Sequence, residues 1–194
     1  MSDEVGFMDT LMTSTPEQWK VPPAPSGQVV HNIGPINNIT LPADWKQGRT
    51  KHRVLGQSAY EEYTPPNEPD VLFFFFYRGL PVDPETARAF ATILRQPPHS
   101  LQPAEFESIK LLLRGKENRQ QFEINGIQTQ NLNGKVVLAL TGLYKEDQKQ
   151  MLSMLVDADG SGAVIEEIEF MASRAKYAQY LPQAQNAMRS VCWK

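Results

Sequence analysis

The sequence predicts an α+β domain: a three-layer α/β/α sandwich around an antiparallel meander sheet. Three observations predict it. The run Val71-Leu72-Phe73-Phe74-Phe75-Phe76-Tyr77 is apolar on both alternations and bounded by Asp70 and Arg78-Gly79. Successive strand residues face opposite ways, so such a run suits a strand buried on both faces. Two amphipathic helical patterns follow it. Four apolar stretches joined by short turns then precede a last helical pattern. The elements read β-β-α-α-β-β-β-β-α, with helices to cover both sheet faces.

Residues 1–38 read as a flexible, acidic, proline-rich leader, and residues 39–194 as a single domain. Pro16, Pro22, Pro23, Pro25 and Pro35 interrupt any period, while Ser26-Gly27 and Asn37-Asn38 are turn-formers. Within the leader, Val5, Phe7, Met8, Leu11 and Met12 recur at helical spacing. They form either a disordered terminus or a short helix that docks Phe7, Met8, Leu11 and Met12 into a partner groove. A candidate strand spans residues 53–63, and Pro65, Pro66 and Pro69 mark a loop before the phenylalanine run.

Asp83-Pro84-Glu85 is a helix start, a capping carboxylate followed by proline at the first helical position. Ala87, Phe90, Ala91 and Leu94 continue it until Pro97-Pro98. A second helix opens at Pro103, carries Phe106, Ile109, Leu112 and Leu113, and ends at Gly115. Strands are expected over residues 122–129, 135–144, 151–156 and 163–171, with turns at Asn131-Leu132-Asn133-Gly134, Lys145-Glu146-Asp147 and Asp159-Gly160-Ser161-Gly162. Tyr177, Tyr180, Leu181, Ala184, Ala187, Met188 and Val191 mark a final helix. Pro182 within it predicts a break or a helix start.

Composition narrows the function. The chain has 194 residues, 41% apolar, enough for one core of ordinary size. Its net charge of −3 equals that of residues 1–40, where Asp3, Glu4, Asp9 and Glu17 face only Lys20. The remainder is neutral, which argues against nucleic acid, whose phosphates require a basic face. No apolar run reaches the ~18 residues that cross a bilayer, so no membrane span is expected. The start lacks a basic segment and an apolar stretch, so the expected setting is cytoplasmic. The single cysteine, Cys192, excludes a disulfide framework within the chain.

No catalytic residue is assigned, and no cofactor is expected. His31, His52 and His99 are scattered, and no Gly-x-Ser-x-Gly elbow, Gly-x-Gly-x-x-Gly run or phosphate loop is present. An enzyme whose site is assembled from scattered residues stays open as an alternative. Asp157-Ala158-Asp159-Gly160-Ser161-Gly162 matches the first half of a calcium-binding EF-hand loop, but its twelfth position is Ile168, with Glu169 one place late. The reading is a hairpin turn; the alternative is a calcium site of Asp157, Asp159, Ser161 and Glu169. Lys46, Arg49, Lys51 and Arg53 concentrate positive charge beside Trp45, either a solvated face or an acceptor surface for an acidic protein partner.

The order of elements resembles the PsbP-like superfamily, which includes extrinsic photosystem proteins, a Ran-binding nuclear-transport factor and DcrB-like bacterial proteins. The residues that carry the resemblance are Leu41-Pro42-Ala43-Asp44-Trp45-Lys46, the Tyr60–Tyr63 strand, the Asp159-Gly160 hairpin, and Tyr180-Leu181-Pro182 with Met188-Arg189-Ser190. It runs from Ile39 to Lys194. It implies an α/β/α sandwich used as a binding module, since members dock on photosystems, on a small GTPase or, as chaperones, on effector segments. Photosystem members carry targeting peptides, and the start of this sequence shows no such pattern. No metal or partner site carries over residue by residue. The expected function is a non-enzymatic, cytoplasmic protein-binding or assembly module.

Overall fold

The computed structural model describes residues 27–48, 51–52, 59–77 and 82–194. The docking candidates Phe7, Met8, Leu11 and Met12, and Arg49 and Arg53 of the basic segment, lie outside the described residues.

The phenylalanine run forms strand β6 (Leu72–Tyr77), hydrogen-bonded on both sides. Strand β5 (Ala59–Thr64) pairs with one edge and β10 (Ile165–Ser173) with the other, both antiparallel. From β10 the sheet continues through β9 (Lys149–Asp157), β8 (Lys135–Tyr144) and β7 (Phe122–Leu132), so the last four strands are the expected meander. Two short strands, β3 (Lys46–Gln47) and β4 (Lys51–His52), share the outer edge of β5.

Between β6 and β7 the chain crosses from the middle of the sheet to its far edge, and this crossing carries the first two helices. Helix α1 (Pro84–Leu94) starts where Asp83 Oδ1 accepts the amides of Glu85 and Thr86 at 3.1 and 3.0 Å. Helix α2 (Pro103–Ile109) is opened by a capping box in which Glu105 accepts the Gln102 amide at 2.8 Å. It tightens into a 3₁₀ turn (Lys110–Leu113), which the left-handed Arg114 and Gly115 end. Phe90, Phe106, Ile109 and Leu113 pack on Ile127, Leu138, Leu140 and Leu155, over the β7–β9 half of the sheet.

The other face is sealed by helix α3 (Arg174–Arg189), whose Ala184, Ala187 and Met188 join Phe73, Phe75, Ile168 and Phe170. Beside it, β1 (Gln28–Ile33), β2 (Ile36–Leu41) and β11 (Cys192–Trp193) make a separate three-stranded sheet. Helices thus lie on both faces of one mixed α+β body.

Three expectations are corrected. The leader does not extend to residue 38: β1 and β2 form a hairpin about Gly34-Pro35, and Asn37 and Asn38 are strand residues, not a turn. Ile33, Ile36, Ile39 and Leu41 enter the core, which is what holds this hairpin. Pro182 does not interrupt α3. It sits on the exposed side of the helix, so the carbonyl deprived of its partner is solvated. Finally, helices seal only one side of the aromatic strand. Phe73 and Phe75 are covered by α3, whereas no helix among the described residues covers Phe74 and Phe76.

Candidate functional site

That incomplete cover creates a site. Helices α1 and α2 lie over β7–β9 because they lead to the far edge strand. On the same face, β6 and β10 present Phe74, Phe76, Glu167, Glu169 and Met171 to a cavity of about 380 Å³. Arg114 and Lys116, from the segment that leaves the 3₁₀ turn, and Tyr144 at the end of β8 complete its walls.

Three consecutive pairs of β10 and β6 position the chemistry. Glu167 lies opposite Phe76, Ile168 opposite Phe75 and Glu169 opposite Phe74, so strand alternation puts both carboxylates on the Phe74 and Phe76 face. Both glutamates are 3% exposed. Lys116 neutralises them together: its Nζ donates to Glu167 Oε1 at 2.5 Å and to Glu169 Oε2 at 2.8 Å. Ser153 of β9 donates its hydroxyl to Glu167 Oε1. Arg114 stands 3.7 Å from Glu167 Oε2, with its guanidinium 5.4 Å from the Phe76 ring centre. A third of the Arg114 side chain is exposed, so it forms the rim.

The two carboxyls are driven apart. Burial pushes Glu169 up, ionised Glu167 adds to this, and Lys116 offsets it only in part, leaving Glu169 at about 8. Burial would also raise Glu167, but the Lys116 ammonium and hydrogen bonds from Glu169, Lys116 and Ser153 hold it down at about 2. The opposed shifts favour one proton held by the pair near neutrality. Burial alone would lower Lys116, but the two glutamates more than offset it and keep it charged. Burial, with the nearby Glu169, pushes the Tyr144 phenol up to about 12, so it stays a neutral donor.

The residues singled out in the sequence lie elsewhere. Trp45 is 2% exposed, set edge-on to Phe73 and Tyr180, with its indole donating to Gln183 at 3.1 Å. It is a core residue that ties α3 to the sheet, not an exposed anchor. Lys46 is exposed on β3 and Lys51 lies in β4.

The Asp157–Gly162 segment is a hairpin between strands β9 and β10, with no flanking helices. Asp157 accepts the amides of Gly160 and Gly162 at 3.0 and 2.9 Å, and Asp159 accepts the Ser161 amide and hydroxyl. Its carboxylates thus hold their own backbone. Glu169 is not with them: it sits opposite Ser153, whereas Asp157 sits opposite Ile165. The calcium set is not assembled, and no cluster of three or more metal-binding side chains occurs among the described residues.

The Lys116–Glu167–Glu169 cluster was not foreseen. A signal existed in Glu166, Glu167 and Glu169, three acids in a stretch read as a sheet strand. Buried carboxylates require a partner, and Lys116 is distant in sequence.

No family model matches the sequence, and no curated protein matches it. The fold is PsbP-like: the solution structure of cyanobacterial PsbP from Synechocystis sp. PCC 6803 superposes with a TM-score of 0.55. That match has 10% identity over 94% of this chain and 99% of that one. LpqN of Mycobacterium tuberculosis, involved in cell envelope biogenesis, is similar at TM-score 0.45 and 17% identity over 84% of this chain and 88% of its own. A Pseudomonas aeruginosa protein of unknown function gives TM-score 0.47 and 10% identity over 81% and 91%. No helix of the described residues is long and apolar enough to cross a membrane.

Proposed function

We propose that the chain is a non-catalytic protein-binding or assembly module, and that its contact surface includes the rim of the charged cavity. One observation carries this: the cavity's buried ionisable groups are committed to each other, while Arg114 at the rim is one-third exposed and touches Glu167 only at 3.7 Å. Lys116 holds both glutamates, so neither offers the free, positioned base that proton transfer from a substrate needs. Arg114, lying over Phe76 at an open edge, is the kind of residue that anchors interfaces. Its guanidinium at 3.7 Å from Glu167 keeps donors for a partner's carboxylate. The PsbP-like fold, used in that superfamily for docking on other proteins, supports the same reading. A single exposed cysteine, Cys192, fits a reducing, cytoplasmic setting.

The test places a photo-reactive amino acid at Asp147, an exposed residue lining the same cavity. Irradiation in native lysate is expected to give a discrete adduct that disappears when Arg114→Glu is added. An adduct pattern indifferent to Arg114 removes the rim from the contact surface. Turnover of an ester or glycoside panel that is abolished by Glu169→Gln overturns the non-catalytic reading.

A further inference from the structure

A second concavity lies on the opposite face and at the opposite end of the sheet. Helix α3 packs over β9 and β10 and leaves the β7–β8 end open, where a groove of about 300 Å³ runs between sheet and helix. Its floor carries Gln128 and Gln130 of β7, Thr141 of β8 and Gln150 of β9, and α3 supplies Tyr177 and Gln185. Every described residue lining it is uncharged.

These polar groups are not used by the described residues. The side chains of Gln128, Thr141, Gln150 and Gln185 make no hydrogen bond to another described residue. Among the described residues Gln130 donates only to the weak acceptor Met154 Sδ at 3.4 Å, and its carbonyl Oε1 is buried with no partner. A buried amide oxygen left unpaired is costly, and a hydroxyl donor entering the groove would relieve that cost.

We propose that this groove binds a neutral saccharide, one or two rings in size. A side-chain amide offers a donor and an acceptor side by side, which matches adjacent sugar hydroxyls, and five amides (Asn125 with the four glutamines) plus Thr141 and Tyr177 line the groove. Leu152, Leu181 and the Tyr177 ring supply apolar surface for the C–H face of a ring. The volume stands at the small end of ligand sites, about 300–1,000 Å³. A phosphate or acid sugar finds no compensating charge.

An extended peptide is disfavoured, because peptides join sheets at an edge. The β7 edge is already taken here. Ser100 bridges Gln128, the Leu101 amide donates to Ile127, and the Thr129 amide donates to His99 at 2.8 Å.

The experiment uses the full chain, nitrogen-15 labelled, titrated with glucose, galactose, maltose, cellobiose and lactose, then with glucuronate and a capped tetra-alanine peptide. At least one neutral saccharide is expected to shift the side-chain amide signals of Gln128, Gln150 and Gln185, while Gln96 on the helical face stays still. Gln128→Ala with Gln150→Ala is expected to weaken that response at least about tenfold. Arg114→Ala, which alters only the charged cavity, is expected to leave it unchanged, so this site and the protein-contact surface fail separately. The proposal is overturned if no saccharide shifts these signals, if the peptide or glucuronate shifts them instead, or if the response survives in the double variant.

Discussion

Lys116 brings one positive charge to two buried carboxyls, so burial and the neighbouring Glu167 push Glu169 toward its protonated form. This has a pH signature. A carboxyl raised to about 8 binds its proton more tightly in the folded chain than in the unfolded one. Its stabilisation is complete below the ordinary carboxylate range and is lost as pH rises toward about 8. Glu167, held down, acts in the opposite sense: its contribution is present above the ordinary range and lost as pH falls toward about 2. Urea midpoints should therefore decline between about pH 5 and pH 8, with a slope of at most ~1.4 kcal/mol per pH unit. Glu169→Gln, a neutral mimic of the protonated acid, should flatten that decline; an unchanged slope would place the proton elsewhere. Lys116→Met strands the Glu167 charge and should cost about 3–5 kcal/mol. At the β9–β10 hairpin, Asp157→Ala frees two backbone amides and should cost about 1–3 kcal/mol, equally with and without calcium. A melting temperature that rises with calcium in the parent chain but not in the variant would restore the cation site.

Elements were legible where their cause is local. Asp83-Pro84-Glu85 announces α1 because the cap and the helix it opens are neighbours, and the Phe73–Phe76 alternation announces a two-faced strand for the same reason. The β1–β2 hairpin was not legible: its strands are short and polar on one side, and what holds them is Ile33, Ile36, Ile39 and Leu41 against a core assembled from distant segments. Pro182 misled in the other direction, since a proline on the outer side of a packed helix costs stability without ending it. Pro182→Ala should accordingly raise stability by about 1–3 kcal/mol, read as a higher urea midpoint. A drop would mean that α3 depends on the bend. The aromatic strand supplies a contrast between its faces. Phe75→Ala, under α3, should cost about 3–5 kcal/mol, and Phe76→Ala, at the half-open cavity, less than half of that.

At the scale of the molecule, the two sites follow from how the helices are spent. A crossover from β6 to the far edge carries α1 and α2 over one half of one face, and α3 returns over the other half of the opposite face. The open areas are thus diagonal, one charged and one amide-lined, with strands β9 and β10 between them. None of this could be read from segment patterns, because the pairing of β6 with β10 is remote in sequence and decides both where the cavity falls and which acids enter it. The same arrangement makes a prediction about dynamics. Strands β6, β10 and β9 are flanked on both edges, whereas β3, β4 and β7 lie at the sheet margins. Native-state hydrogen exchange should find the slowest amides at residues 73–76, 152–156 and 165–172, opening only with global unfolding. Amides of β3 and β4 should exchange by local opening. If β10 instead exchanged early, the floor of the charged cavity would open locally and the central-strand order would fail.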